Sequence, residues 1–340
     1  MATKPPVEVP QGAIRLNTDS QKLEFYAQDQ WWEMATHNIN LDGGTRGVRG
    51  GAQVGGSPYP VTDTMDYFTI PTAGNATDFG NLTGTRFGPS GGGSKTRGLF
   101  ACGGPSRTSV IDYIAFSTTG NAQDFGDMTV ARAPGGNSGF GNETRAIVAT
   151  GSSNSTDWDD TIDYVTIAST GNGVDFGNTI AGSGGCQATS STTRGILLGF
   201  TLAPNYTYTN RIDFVTIATT GNATDFGGDM LWGGNGRSCS NGIRSVSSSS
   251  TPSATTALQT GFIASRGNFI EYGDLASTND GGGSFATSDT TRGVFGIMAP
   301  GSSNVMEYIS MSTSGKAVDF GDLTQEIRNS GATSNAHGGL

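Results

Sequence analysis

Short runs along most of the chain alternate polar and apolar residues, and each run ends in a turn signal. Asp163-Tyr164-Val165-Thr166-Ile167 is representative, with β-branched and aromatic residues in the pattern of a half-buried strand. Thr170-Gly171-Asn172 follows as a turn, because Gly and Asn tolerate positive φ. Asp175-Phe176-Gly177 opens a further strand. A stretch of small residues, Ala181 to Cys186, then suits a strand crowded near a central axis. A strand introduced by Thr193-Arg194-Gly195 closes the unit.

The unit repeats. The Ile-Asp-Tyr type of strand recurs at Met65-Asp66-Tyr67, Ile111-Asp112-Tyr113, Ile212-Asp213-Phe214 and Met306-Glu307-Tyr308. The acid of the next motif falls at Asp78, Asp124, Asp175, Asp225, Glu271 and Asp319, a period of about 48 residues. Arg46, Arg97, Arg145, Arg194, Arg244 and Arg292 run in phase with it. Four short strands per unit and six units predict an all-β fold, a six-bladed β-propeller over residues 41–340. The first unit begins at its second strand, near Thr45. The C-terminal stretch, Arg328 to Ala336, is therefore expected to complete the first blade and tie the ring shut. Residues 33–41 are the alternative source of that strand. Unit five departs from the pattern: it lacks the Ile-Asp-Tyr strand and carries a Ser/Thr-rich stretch, Ser245 to Thr256.

Residues 1–40 stand outside the repeat. Residues 1–11, with Pro5, Pro6 and Pro10, read as an extended or disordered arm. Residues 12–40 read as strand, turn, strand, turn, strand, too little for an independent core. This small β module is expected to attach to something, with Phe25, Tyr26, Trp31 and Trp32 as anchors of the kind interfaces favour.

Composition sharpens the picture. Gly numbers 54 in 340 residues and charged residues are only 14%, which excludes long helical bundles. Gly does not fall at every third position, so collagen is excluded too. A net charge of −10 argues against a nucleic-acid partner and against anionic membranes. No apolar run approaches the ~20 residues of a spanning helix. Cys102, Cys186 and Cys239 are odd in number and widely spaced, fitting reduced, buried thiols of a chain made in a cytoplasm.

The six arginines and six acids suggest one Arg–carboxylate pair per unit, locking neighbouring strands or blades. Asp157, Asp159 and Asp160 beside Trp158 carry oxygens that calcium could use, but lack a binding-loop spacing and read as a solvated loop. Thr278, Asp280, Gly282 and Phe285 match an Asp-box spacing once, as chance allows. Only His37 and His337 exist, so a Ser-His-Asp triad would need a terminal histidine. No metal or cofactor is expected, and catalysis is not. Trp158 and Trp232 lie in or near loops where a sugar could stack, or where packing could claim them.

The blades resemble kelch repeats, with a small-residue inner strand, an aromatic-and-glycine second strand such as Val294-Phe295-Gly296, and a tyrosine strand. The wording around Ile162 to Gly177, with Thr-Arg-Gly, resembles kelch-like repeats of virion structural proteins of tailed bacteriophages, including phages of marine cyanobacteria. Residues 12–34 are similar to short β modules in phage tail and fibre proteins. The resemblance implies a virion component assembled in the host cytoplasm in several copies, tail-associated and held to other virion proteins through residues 1–40. A receptor- or glycan-binding adhesin, or a capsid or sheath decoration, is the alternative.

Overall fold

A computed structural model describes residues 9–17, 22–33, 45–135, 137–154, 158–202, 207–234, 236–249, 255–279, 283–298 and 301–336. His37, His337, Asp157, Asp280 and Gly282 lie outside them. The chain divides into two compact units, Met1–Gly43 and Gly44–Leu340.

The first unit holds a three-stranded antiparallel sheet, Ile14–Asn17, Lys22–Ala27 and Gln30–Glu33 in that order. Ile14 pairs with Phe25, which pairs with Trp32, and Leu16 pairs with Leu23. Directly paired residues share a face, so these five apolar side chains lie together.

The second unit is all-β and propeller-like. Most of its described strands form six antiparallel groups of four, named here sheets I to VI; Thr201–Leu202 and Thr207–Tyr208 form a separate pair, and Gly315–Lys316 pairs parallel to Ile270–Asn279. In sheet I the order is Gly331–Ser334, Arg46–Val54, Val61–Thr69, Thr77–Asn81. Sheet II runs Ser90–Gly93, Arg97–Ala101, Thr108–Ala115, Gln123–Arg132. Sheet III runs Gly139–Gly141, Arg145–Ser152, Trp158–Thr166, Val174–Asn178. Sheet IV runs Gln187–Ser190, Arg194–Leu198, Arg211–Thr216, Thr224–Asp229. Sheet V runs Ser238–Ser240, Arg244–Ser248, Thr255–Phe262, Ile270–Asn279. Sheet VI runs Phe285–Ser288, Arg292–Gly296, Ser303–Ser310, Val318–Arg328. The place beside Arg46–Val54 in sheet I is thus filled from the chain's far end, by Gly331–Ser334.

The first strands are neighbours in the order I, II, III, IV, V, VI, and that of VI neighbours that of I. Small residues are needed there. A Cβ on Gly91 would strike the Ala332 carbonyl, and one on Gly139 the Gly91 carbonyl. Hydroxyls tie the strands together: Ser190 donates to the Gly141 carbonyl at 2.7 Å, Ser240 to Ser190 at 2.8 Å, Ser288 to Ser240 at 2.7 Å and Ser334 to Ser288 at 2.7 Å. Thr333 donates to the Gly92 carbonyl at 3.0 Å.

The apolar core is split among the gaps between sheets. Phe140, Ile147 and Phe176 of sheet III meet Leu197, Val215 and Ile217 at sheet IV. Equivalent clusters fill the gaps I/II, II/III, IV/V and V/VI. Another joins Phe285, Met306 and Phe320 of sheet VI to Phe68, Ile70 and Ala332 at sheet I. Each gap needs only a few large side chains, which is how a chain with a 34% hydrophobic share fills a core.

Candidate functional site

The repeated arginines and acids are not brought together. Arg46, Arg97, Arg145, Arg194, Arg244 and Arg292 open the second strands, while Asp78, Asp124, Asp175, Asp225, Glu271 and Asp319 lie on the fourth, and the third strand runs between them. The expected Arg–carboxylate pair per unit is therefore corrected. Each arginine instead lies over an aromatic ring: Tyr67 at 5.1 Å, Tyr113 at 5.0 Å, Tyr164 at 4.6 Å, Phe214 at 4.8 Å, Phe262 at 5.4 Å and Tyr308 at 4.5 Å. Five of them also reach a carbonyl of the next sheet, as Arg97 does at Ile167, 3.0 Å away, and Arg145 at Ile217, 2.8 Å away. The acids are exposed and act locally. Asp124, Asp175 and Asp225 accept the backbone N–H of Gly126, Gly177 and Gly227 at 3.2, 3.1 and 2.7 Å.

The buried charge sits elsewhere, on the third strand. Asp66, Asp112, Asp163 and Asp213 are fully buried, and Gln259 and Glu307 hold the same place in sheets V and VI. Each accepts hydrogen bonds from the end of the preceding sheet's fourth strand or the residues just after it. Thr83 gives its N–H to Asp112 at 2.9 Å and its hydroxyl at 2.6 Å. The Thr129 hydroxyl reaches Asp163 at 2.6 Å, and Ala276 N–H reaches Glu307 at 2.6 Å. Leu231 N–H reaches Gln259 at 2.8 Å. Thr324 of sheet VI reaches Asp66 of sheet I through its hydroxyl at 2.7 Å. Guanidinium groups balance four of the carboxylates: Arg49 at Asp66, Arg86 at Asp112 (2.7 Å), Arg132 at Asp163 (3.1 Å) and Arg211 at Asp213 (2.9 Å). Burial pushes the Asp163 and Asp213 carboxyls above the usual carboxylate range despite those neighbours. Burial also lowers the Arg49 and Arg86 guanidinium groups. Neither Gln259 nor Glu307 has an ion-paired arginine among the described residues; sheet V carries the neutral Gln259, whose amide also donates to the Trp232 carbonyl at 2.7 Å, and sheet VI the buried Glu307. The signal was in the sequence as an acid between two apolar residues of a strand, a position a solvated acid avoids.

Sheet V breaks the pattern at one end. Thr260 stands where the other third strands carry Tyr or Phe, so Arg244 turns to Phe262 and Tyr272. Tyr272 takes over the link to the next sheet, donating to the Ser310 and Thr313 carbonyls. Among the described residues Arg244 donates to no backbone carbonyl, unlike its five counterparts. It lines a groove of about 240 Å³ with Phe262, Arg266, Asn268 and Ile270. Sheet II has a groove in the corresponding place, about 450 Å³, beside Arg97 and Tyr113.

In the N-terminal sheet, Phe25 and Trp32 stand on the exposed apolar face with Ile14, Leu16 and Leu23, which sequence reasoning did not single out. Tyr26 and Trp31 lie on the opposite face as an edge-on pair with centroids 5.3 Å apart, and Arg15 lies 4.1 Å over Trp31. Arg15 also pairs with Glu24 at 2.8 Å. Asn17 and Arg15 hold the Glu24 carboxyl below the usual range.

The remaining candidates are occupied by packing. Asp159 accepts Thr161 N–H at 2.9 Å and Asp160 accepts the Asn178 amide at 2.8 Å, both from within a strand rather than a solvated loop. Trp158 lies against Gly184, and Phe285 is core. Trp232 is partly buried, its N–H and carbonyl both bonded to Gln259. Thr278 lies in the fourth strand of sheet V. Among the described residues no cluster of three or more metal-ligating side chains occurs. All three cysteines are free and buried, and burial raises the Cys102 thiol to about 11 and the Cys186 thiol to about 12.

No family model and no curated protein matches the chain. Among solved structures it is similar to "Structure of YjhT", with a TM-score of 0.56 and 13% identity over 74% of this chain and 88% of that one. At that identity the likeness speaks for the fold alone, and the fold it speaks for is the all-β, propeller-like arrangement of sheets I to VI.

Proposed function

We propose that this chain is a non-enzymatic structural protein of a tailed phage particle, tail-associated, attached through its N-terminal sheet and displaying a closed six-bladed kelch-like propeller. The observation that carries the attachment is the exposed face of Ile14, Leu16, Leu23, Phe25 and Trp32. A three-stranded sheet with such a face has no core of its own. Closure is supported by the junction of sheets VI and I, which repeats every contact of the other junctions: the core cluster, the Thr324–Asp66 clamp and the Ser334–Ser288 bond. A structural role is supported by the strand acids, all spent on clamps between sheets. The phage assignment rests on the sequence resemblance of the repeats and the N-terminal segment.

The test is incorporation into particles. The chain is expected in gradient-purified virions, and Phe25→Asp with Trp32→Asp is expected to remove it while the propeller keeps its Tm. Absence of the chain from wild-type virions, or retention of the double variant, overturns the reading. Binding of the isolated chain to host cells, with blocked adsorption, would favour the adhesin instead.

A further inference from the structure

We propose that the groove of sheet V binds a carboxylate carried on an apolar group, the chemistry of an acidic side chain between apolar neighbours on a partner protein. Two guanidinium groups line it, Arg244 and Arg266, and a third, Arg194, shares a ring with Arg266. Arg194 and Arg266 both lie over the Phe214 ring, at 4.8 and 5.1 Å, and Arg244 lies 5.4 Å from Phe262. None of the three has a carboxylate within ion-pair distance among the described residues. Arg194 is committed to the Ile263 and Ala264 carbonyls at 3.0 and 2.7 Å. Arg244 and Arg266 have no such commitment, and both line the groove. In a chain of net charge −10, two unmatched cations at one place form a local anion site rather than a reflection of overall charge.

The apolar half of the recognition is as specific. Phe262 is 51% exposed and Ile270 63% exposed, and both line the same groove. Ile243, beside Arg244 in the turn, is 64% exposed. Arginine and aromatic side chains around an apolar patch are the composition of interface centres. Two guanidinium forks fit the two oxygens of a carboxylate, and Phe262 and Ile270 take its apolar carrier. The equivalent groove of sheet II lacks this pairing: Arg97 is its one cation and already bonds Ile167 and Ala168, and the Tyr113 hydroxyl bonds Gln123. The departure of unit five from the repeat therefore creates a site that the groove of sheet II does not have.

The test uses the full chain and small probes read by calorimetry and NMR. 3-Phenylpropionate is expected to bind saturably. 3-Phenylpropanamide and inorganic phosphate are each expected to bind at least about ten-fold more weakly, since each lacks one half of the chemistry. Arg266→Gln, at an exposed position, and Arg244→Gln are each expected to weaken 3-phenylpropionate about ten-fold. Arg266→Gln is expected to keep the wild-type Tm, so that a fold defect is not mistaken for lost binding. A capped Leu-Glu-Leu tripeptide is expected to compete with the probe, and its Gln counterpart is not. Equal binding of the amide or of phosphate, an unchanged Kd in folded Arg266→Gln, or failure of the tripeptide to compete overturns the proposal.

Discussion

At the residue scale, the same side-chain type carries opposite duties according to its place on a strand. Asp112 is fully buried between sheets, takes two hydrogen bonds from Thr83 and one charge from Arg86. Asp124, twelve positions on, is exposed and bonds the N–H of Gly126. Asp112→Ala leaves Arg86 buried without its counter-charge, and a loss of about 3–5 kcal/mol is expected. Asp124→Ala is expected to cost about 1 kcal/mol or less. Thermal and denaturant melts of the two variants check this, and equal losses would contradict the assignment of the clamp. Arg194, stacked on Phe214 and bonded to two carbonyls, stabilises without touching an acid.

At the element scale, the two turn motifs of the repeat are one joint. Gly80, Gly126, Gly177, Gly273 and Gly321 lie under the turn of the following sheet, and in sheet IV Gly228 rather than Gly227 takes that place. Gly171 N–H bonds the Phe125 carbonyl at 2.8 Å and Gly221 N–H bonds that of Phe176 at 2.7 Å. Where an Asn follows the turn glycine it adds a bond from its side chain, as Asn172 does by accepting Asp127 N–H at 3.2 Å; Gly315 is followed by Lys316 instead. A Cβ on Gly126 or Gly177 would come within 2.5 Å of the Gly171 or Gly221 carbonyl. The same contact is made by Gly321 of sheet VI against Gly74 of sheet I, with φ of +138° at Gly321. Gly321→Ala is expected to cost about 2 kcal/mol or more, from backbone clash and an unfavourable φ together. Gly74→Ala, whose Cβ meets nothing, is expected to stay within about 0.5 kcal/mol of wild type. Melting curves of both decide, and a neutral Gly321→Ala would refute the joint.

At the scale of the whole molecule, the last described strand of the second unit pairs with its first. Gly331–Ser334 pairs with Arg46–Val54, and its Thr333 and Ser334 hydroxyls bond Gly92 and Ser288. A chain ending at Arg328 loses this strand and the contacts on both sides of it. Its Tm is expected to fall by roughly 10 °C or more, the equivalent of several kcal/mol in a domain of this size. A peptide of residues 329–340 added in trans is expected to restore part of the loss, by mass action on the vacant edge. An unchanged Tm on truncation would mean that the ring is not tied there. Two buried ion pairs, Arg86–Asp112 and Arg132–Asp163, join neighbouring sheets, and a third, Arg49–Asp66, lies within sheet I.

What the sequence determined by itself was periodicity. Alternating strands, turn glycines and a unit of about 48 residues are local properties, legible because a strand's side chains alternate and a turn's φ restricts its residues. The three strands of the first unit, Ile14–Asn17, Lys22–Ala27 and Gln30–Glu33, were legible for the same reason, and so was the odd character of unit five. Pairing between units was not legible, because it depends on which faces meet. Arg and acid recur with one period, yet the third strand separates them, and the strand acids Asp66, Asp112, Asp163 and Glu307 accept hydrogen bonds from the neighbouring sheet. The strand acid was visible as an oddity, and only packing showed that it is buried and clamped. Likewise Phe25 and Trp32 are separated from Tyr26 and Trp31 only by the register of the sheet, which turns adjacent aromatic residues to opposite faces. The cations of sheet V were visible as two arginines 22 positions apart in the sequence. That both line one groove is decided by packing: with Thr260 in place of an aromatic residue Arg244 turns to Phe262 and Tyr272, and Arg266 lies over Phe214 of the neighbouring sheet.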